Sequence, residues 1–405
     1  MTSKADQINE LCTRRIAEII PSREAMLKEF SGGRKLNVYL GIDPTSPHIH
    51  LGHSIPLLLL KRFQKLGHHV TLLIGDFTAR IGDPSGKAKT RVPLDEDQVL
   101  ENVHTYKSQA GKILDFDSKE NPVALAYNSA WLGKMSFGKV LELASSFTVQ
   151  QMLARDMFQK RIQEESPIGV HEFLYPLMQG YDSVALETDI EIGGNDQLFN
   201  MLVGRDLVNR YLKKEKFVVA TRLLANPVTG AKMSKSEGNV RALDDSAPDM
   251  YGKVMALPDE MLWECFELCT EVALKEIEMV KSLNPRDAKA RLAREIVTMY
   301  HNANAAEKAE AEFGKVFGGK EAPSRMREVT VKKEKMNIVE LVIAAGLVGS
   351  KNEARRLIEQ GGIHIQRPGG NGEWESVSYG DQEVVLENKM IIRAGRRRFA
   401  QIRAE

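Results

Sequence analysis

Leu36-Asn37-Val38-Tyr39-Leu40-Gly41-Ile42-Asp43-Pro44-Thr45 is an apolar run of strand length that ends in a polar turn. Shortly after it, His50-Leu51-Gly52-His53 opens a helix-like run over residues 55–66, and residues 69–74 form a second strand-like run. Strand, helix and strand in this order predict a βαβ unit: a parallel sheet with helices outside it. In such a sheet ligands bind beyond the carboxyl ends of the strands, where Asp43 and Thr45 stand. The fold class read from this start is α/β, with a first, Rossmann-like domain over residues 1–243.

Working outward, residues 1–35 read as mostly helical, with a stripe at Ile8, Leu11, Ile16, Ile19 and Ile20. Residues 132–180 read as helical, residues 188–192 as a short strand, and residues 217–223 as another apolar run. After Leu243 the periodicity is helical, with Leu262, Cys265, Phe266 and Cys269 recurring at three and four. This predicts an all-α domain over residues 244–320, then a linker over 321–335, within a stretch (314–335) rich in Gly, Lys and Glu and containing Pro323. Residues 336–405 read as a small α+β domain. A short helix ends at Gly346, Ser350-Lys351-Asn352-Glu353 opens a second by a capping pattern, and strand-like runs follow.

The chain has 405 residues, 42% hydrophobic and 27% charged, so two or three globular domains are expected. Net charge is +1, and any nucleic-acid surface must be a local patch. Residues 1–20 carry charge throughout and lack a signal-type apolar core. The longest apolar burst, residues 57–60, stops at Lys61, far short of a membrane span, so no membrane is expected and the cytoplasm is the expected place. An odd cysteine count, Cys12, Cys265 and Cys269, argues against a disulfide framework. Cys265 and Cys269 read as small buried hydrophobes in preference to a metal or redox pair.

His50 and His53 are three apart and share one helix face. Near a helix start they can aim ring nitrogens at phosphate together with backbone N–H groups. Gly52 removes a side chain that would hold an adenine or ribose off the backbone. Alone, His48, His50 and His53 read as a polar helix start, and no acidic or cysteine set accompanies them to make a zinc site. Gly82-Asp83-Pro84-Ser85-Gly86-Lys87 resembles a phosphate loop but has one residue too few between its glycines, and Ala88 stands where a magnesium-binding hydroxyl belongs. It reads as a turn, with Lys87 and Arg91 as further cations for phosphate or RNA.

Lys232-Met233-Ser234-Lys235-Ser236 lies in a polar segment between Pro227 and Gly238. Alone it reads as a solvated basic loop. With the histidine signature it supplies two ammonium groups for a triphosphate. The chemistry that fits is displacement at a phosphate of a nucleoside triphosphate. That step needs positioning and charge stabilisation more than proton transfer. Tyr175, Gln179 and Asp182 share one face of an otherwise apolar helix-like run. Polar groups placed there need partners, and a ligand with an ammonium and a hydroxyl supplies them. Gly193-Gly194-Asn195-Asp196-Gln197 offers a glycine turn with three polar side chains; alone it reads as a capping loop.

The two signatures resemble those of class I aminoacyl-tRNA synthetases, and the residues between them resemble the tyrosyl-tRNA synthetase family of bacterial or organellar type. The resemblance covers essentially the whole chain. It implies that Tyr39 and Asp182 hold the phenol of L-tyrosine, that Asp83, Tyr175 and Gln179 hold its ammonium, and that Gln197 orients its carboxylate. It implies that Gly41, Asp43 and Gly52 bind ATP, that Thr45, His50 and His53 act on its phosphates, and that Lys232 and Lys235 act on the leaving pyrophosphate. Mg2+ accompanies ATP, no protein-held metal is expected, and the implied partners are tRNA(Tyr) and a second copy of the chain. Leu198-Phe199-Asn200 departs from the Trp-Gly-Asn of many members. With the full lysine signature, this resembles the second bacterial subgroup.

The tail resembles the α-L RNA-binding module, with Arg355, Arg356, Arg393, Arg396, Arg397 and Arg398 as the implied RNA contacts; such phosphate contacts make binding salt-dependent. Alone it reads as a solvated charged tail. The rivals are the tryptophanyl sister family, a catalytically silent RNA-binding protein on this fold, and a small-molecule nucleotidyltransferase. Tyr39 with Asp182 argues against the first, the intact signatures against the second, and the helical and tail regions against the third.

Overall fold

A computed structural model describes residues 3–85, 94–230, 242–318, 322, 326–369, 373–395 and 398–404. Lys87, Arg91, Lys232, Lys235, Arg396 and Arg397 lie outside the described residues. The chain divides into two compact units, Met1–Ala306 and Glu307–Glu405.

The first unit is built on a six-stranded sheet: β1 Ile16–Ile20, β2 Asn37–Ile42, β3 His69–Ile74, β4 Ala124–Tyr127, β5 Ile190–Gly194 and β6 Phe217–Thr221. The spatial order is β1-β6-β5-β2-β3-β4, with β1 antiparallel to β6 and every other pairing parallel. Strands of a parallel sheet covered on both faces are near-continuously apolar, and Val38, Leu40, Val70, Leu72 and Leu73 are all buried. From β2 the chain winds outward through β3 and β4, then returns to β5 and winds the other way. The switch falls between β2 and β5, the place where open α/β sheets bind ligands. Leu51–Lys65, the helix after β2, buries Leu57, Leu58, Leu59, Leu60 and Phe63 against this sheet.

One element of this unit differs from the sequence reading. Ile16, Ile19 and Ile20 were expected on a helical stripe, yet Ile16–Ile20 is β1, flanked by the helices Lys4–Leu11 and Arg23–Ser31. Arg15 at φ 70° breaks the helical course, and three β-branched side chains in five residues suit pairing with β6 better than a helix. The helices Ala247–Met255, Leu262–Cys269 and Pro285–Tyr300 form the all-helical part expected after Leu243, and they group with the sheet in the first compact unit. Arg14 and Arg15 tie them in. Their guanidinium groups donate to the carbonyls of Glu267 (2.8 Å), Thr270 (2.7 Å), Val272 (2.8 Å) and Leu268 (2.7 Å). Those carbonyls belong to the end of the helix Leu262–Cys269 and the turn after it, where backbone acceptors lack intrahelical partners.

The second unit carries β7 Arg327–Val331, β8 Lys335–Asn337, β9 Ile363–Gln366, β10 Glu375–Ser376, β11 Glu383–Val385, β12 Ile391–Ala394 and β13 Arg398–Ala404. Five form a sheet in the order β10-β9-β12-β13-β7, and β8 pairs with β11. The helices Ile338–Ala344 and Lys351–Glu359 bury Leu341, Val342, Ala354 and Ile358 with Ile392 and Ile402. β7 lies in the stretch read as linker. Its Val331 packs into this core and it runs parallel to β13, while Arg327 and Glu328 face solvent and hid the strand in composition. Among the described residues no helix is long and apolar enough to cross a membrane.

Arg15 is fully buried; its removal leaves the Leu268 carbonyl without its donor and takes one donor each from the Thr270 carbonyl, which keeps Arg14, and from Glu271, which keeps Arg62. Arg15→Met is expected to lower the stability of the first unit by about 3 kcal/mol. A shift of the urea midpoint checks this; an unchanged midpoint contradicts it.

Candidate active site

The histidine signature sits where β2 hands over to a helix. His50 is the N-cap of Leu51–Lys65; its Nδ1 accepts from Gly52 N–H at 3.1 Å, and His53 Nδ1 accepts from His50 N–H at 3.4 Å. The two rings stack with centroids 3.8 Å apart. A side chain on Gly52 would press within 3.0 Å of the His50 ring, so glycine lets the imidazole fold over the helix start. The turn before it is braced by Asn102 to the Pro44 carbonyl (2.8 Å), Tyr106 to the Ser46 carbonyl (2.8 Å) and Gln109 to the Pro47 carbonyl (2.7 Å). Thr45 is exposed beside it.

Ala242 is the first described residue after the lysine signature, and it forms a β-bridge with His50. Leu243 N–H donates to the Ile49 carbonyl at 2.8 Å, and His48 Nδ1 meets Asp244 at 2.8 Å. The backbone leaving the second signature is thus stitched to the first, although the two are far apart in sequence.

The helix Val170–Ala185 presents Tyr175, Gln179 and Asp182 together, as their spacing predicts. Tyr39 on β2 and Asp182 are both almost fully buried. Asp182 accepts from Trp131 Nε1 at 2.8 Å and from Asn128 Nδ2 at 3.2 Å. Asn128 also donates to Thr78 Oγ1 (3.0 Å), Thr78 donates to Asp43 (2.8 Å), and Tyr175 Oη donates to the other Asp43 oxygen (2.8 Å). One chain of hydrogen bonds therefore joins Asp43, on the signature side, to Asp182. On the far side Gln197 Nε2 donates to Asp83 at 2.7 Å, and Asn200 Nδ2 lies 3.0 Å from both Gln197 and Gln179. Gly41, exposed on β2, sits within van der Waals reach of the Tyr39 ring.

Burial pushes the Asp182 carboxyl well above the ordinary carboxylate range, with Glu191 and Asp43 adding to it against the opposing donors Trp131 and Asn128. Burial also raises the phenols of Tyr39 and Tyr175, with nearby carboxylates adding to the effect. Both tyrosines stay neutral hydroxyl groups. This cluster therefore offers hydroxyl groups and a shielded carboxyl.

Several residues that build this site escaped the sequence reading: Asn128, Trp131 and Thr78 around Asp182, and Ser183, Glu191 and Lys216 behind Tyr39. A signal existed for Glu191, a carboxylate between two isoleucines of an apolar strand, and for Ser183, directly beside Asp182. In the tail, Arg355 and Arg356 are exposed on the helix Lys351–Glu359. Arg393 lies over the Trp374 ring at 4.7 Å, and Arg398 pairs with Glu353 at 2.8 Å. Arg393 and Arg398 are thus partly engaged within their own unit. No cluster of three His, Cys, Asp or Glu side chains suited to a metal occurs among the described residues.

Residues 31–318 match the family described as tRNA synthetases class I (W and Y), and residues 319–402 match the Tyrosine--tRNA ligase SYY-like C-terminal domain. The tyrosine--tRNA ligase of Moorella thermoacetica is 46% identical over 96% of this chain and 94% of its own length. That of Thermotoga maritima is 44% identical over 97% of this chain and 96% of its own. Among solved structures, a C-terminally truncated mitochondrial tyrosyl-tRNA synthetase of Coccidioides posadasii superposes with a TM-score of 0.63 at 25% identity, covering 77% of this chain and 92% of that one.

A buried acid whose carboxyl is raised costs stability once the unfolded chain ionises. Below the ordinary carboxyl range both states are protonated, and the cost vanishes; it grows as pH rises toward the folded value. Asp182→Asn is therefore expected to stabilise the ligand-free protein, more at about pH 8 than at about pH 5. Urea midpoints at the two pH values check this. An equal gain at both contradicts it.

Proposed function

Because the chain belongs to the tyrosine–tRNA ligase family of class I synthetases, we propose that its pocket binds L-tyrosine by Tyr39 and Asp182, beside an ATP held at the histidine signature. The enzyme joins tyrosine to its tRNA in two steps. The tyrosine carboxylate attacks the α-phosphate of ATP, giving tyrosyl-adenylate and pyrophosphate. A hydroxyl of the terminal ribose of tRNA(Tyr) then displaces AMP and takes the tyrosyl group.

The observation that carries this reading is the meeting of Asp182, Tyr39, Tyr175 and Gln179 with the end of β2 at the sheet's switch point. The Tyr39 hydroxyl and the raised Asp182 carboxyl suit a phenol hydroxyl, which gives one hydrogen bond and accepts another. Tyr175, Gln179 and Asp83 suit the ammonium, and Gln197 the carboxylate. Asp43 and Gly41 then face ATP with Gly52. Thr45, His50 and His53 donate to its phosphates, where charge spreads in the transition state. Lys232 and Lys235 stabilise the departing pyrophosphate, and the tie between Ala242 and His50 supports their arrival at the same phosphates. Mg2+ would enter with ATP as part of the substrate and offset the charge of its phosphates. Arg355, Arg356, Arg393, Arg396, Arg397 and Arg398 serve the tRNA backbone.

A homodimer is part of this proposal. Phe137, Val149 and Val170 are 77%, 62% and 77% exposed, and Leu141 stands a turn beyond Phe137. Their helices share one cluster through Leu143, Met152 and Leu177, so the exposed side chains crown a common core. Apolar surface gathered in this way suits a second copy. The cytoplasm, where tRNA is charged, is the proposed location.

Amino-acid-dependent ATP–pyrophosphate exchange tests the activity, with tyrosine, phenylalanine and tryptophan in parallel. Exchange with tyrosine alone is expected; exchange driven by tryptophan would move the chain to the sister branch. Asp182→Ala is expected to lower kcat/KM for tyrosine at least tenfold, roughly one lost buried partner, with the ATP KM nearly unchanged. Equal loss for both substrates contradicts the assignment. Lys235→Ala is expected to slow activation with little change in tyrosine affinity. Val170→Asp is expected to yield a monomer by sedimentation; a persisting dimer would place the interface elsewhere.

A further inference from the structure

Behind Tyr39 lies a second polar cluster that the proposed reaction does not use. Lys216 is fully buried and forms an ion pair with Glu191, itself 2% exposed. Its ammonium also donates to Ser183 Oγ at 2.8 Å and to the Met201 carbonyl at 3.1 Å, so all three protons are committed. Glu191 accepts from Gln179 Nε2 at 3.0 Å through one oxygen and lies 3.1 Å from Ser183 Oγ through the other. Ser183 Oγ is 3.0 Å from Tyr39 Oη. Tyr39 and Glu191 are direct neighbours across β2 and β5. Space for the cluster comes from Gly204 on the helix Leu198–Leu212: a methyl there would collide with the Lys216 ammonium and approach Ser183 Oγ to 2.8 Å.

We infer that the Lys216–Glu191 pair is a positioning element of the tyrosine pocket, acting through Ser183 and Gln179. This rests on the reading of Tyr39 and Asp182 as partners of the phenol. The direction of the hydrogen bonds carries the argument. Lysine donates only, and the Glu191 carboxylate accepts only. Ser183 therefore accepts from Lys216 and gives its one proton to Glu191. The remaining contact, with Tyr39, then runs from Tyr39 to Ser183. With its proton held inward, Tyr39 turns its lone pairs toward the ligand as an acceptor.

Such a pocket asks its ligand for a hydroxyl proton. Tyrosine has one at the para position. Phenylalanine has none and leaves buried acceptors without a donor, which disfavours it. The same ion pair orients Gln179 toward the ammonium end. One buried pair thus sets both ends of the amino-acid site, without touching the substrate.

The test is the ratio of kcat/KM for tyrosine to that for phenylalanine in pyrophosphate exchange, with the full-length protein. Ser183→Ala cuts the link to Tyr39 while leaving the ion pair. It is expected to lower the ratio roughly tenfold, one hydrogen bond's worth, with the ATP KM unchanged. The double variant Lys216→Met with Glu191→Gln removes both charges together, avoiding an orphaned buried ion, and is expected to lower the ratio as well. A merely structural role predicts a lower thermal midpoint with an unchanged ratio, and that result in Ser183→Ala overturns the inference. Should the double variant fail to fold, Ser183→Ala decides alone. Asp182→Asn in the same assay separates the two levels. If it alters tyrosine use while Ser183→Ala does not alter the ratio, only this inference fails; if neither has an effect, the reading of the pocket fails with it.

Discussion

Polar groups shut away from water at the switch point of the sheet must be satisfied from within, and the site follows from how this is done. Two carboxylates stand there, on β2's end and on the helix Val170–Ala185. Asp43 takes donors from Thr78 and Tyr175, and Asp182 takes donors from Trp131 and Asn128. Asn128 reaches both Asp182 and Thr78, so the Asp43 end and the Asp182 end are parts of one network. Such networks hold side chains in single positions when fully satisfied and are costly when a member is lost. On the proposed reading, this network would hold the two substrates in one geometry.

The apolar frame explains why the network can be narrow. Gly180 lets the helices Val170–Ala185 and Leu198–Leu212 approach closely; a side chain there would press on Leu207 and Val203 within 3.0 Å. That approach places Gln179, Asn200 and Gln197 within reach of one another. At the other end, Arg14 and Arg15 fasten the later helices to the sheet, and Cys269 Sγ meets the Leu51 carbonyl at 3.8 Å. The helix that carries the histidine signature is thus backed by residues far away in sequence.

Much of this was legible in the sequence. The βαβ start, the histidine helix start and the face shared by Tyr175, Gln179 and Asp182 follow from local periodicity, and the structure places them accordingly. β1 was hidden because isoleucines spaced at three and four satisfy a helical stripe as readily as an edge strand. β7 was hidden because its exposed face is charged and it lies in a composition typical of linkers. The partners of Asp182 and Tyr39 were hidden for another reason. Asn128, Trp131, Ser183, Glu191 and Lys216 come from separate segments, and only the folded sheet brings them together. Glu191 within an apolar strand and Ser183 directly beside Asp182 were the local signs of them.

The central claim is that the closed end of this pocket, lined by Tyr39 and Asp182, receives the phenol of tyrosine. A crystal structure of the protein with L-tyrosine bound tests it most directly. The account predicts the phenol oxygen within hydrogen-bonding distance of both Tyr39 Oη and the Asp182 carboxyl, with the ammonium facing Tyr175 and Gln179. A tyrosine bound with its ring outside that pocket, or with its ammonium against Asp182, would contradict it.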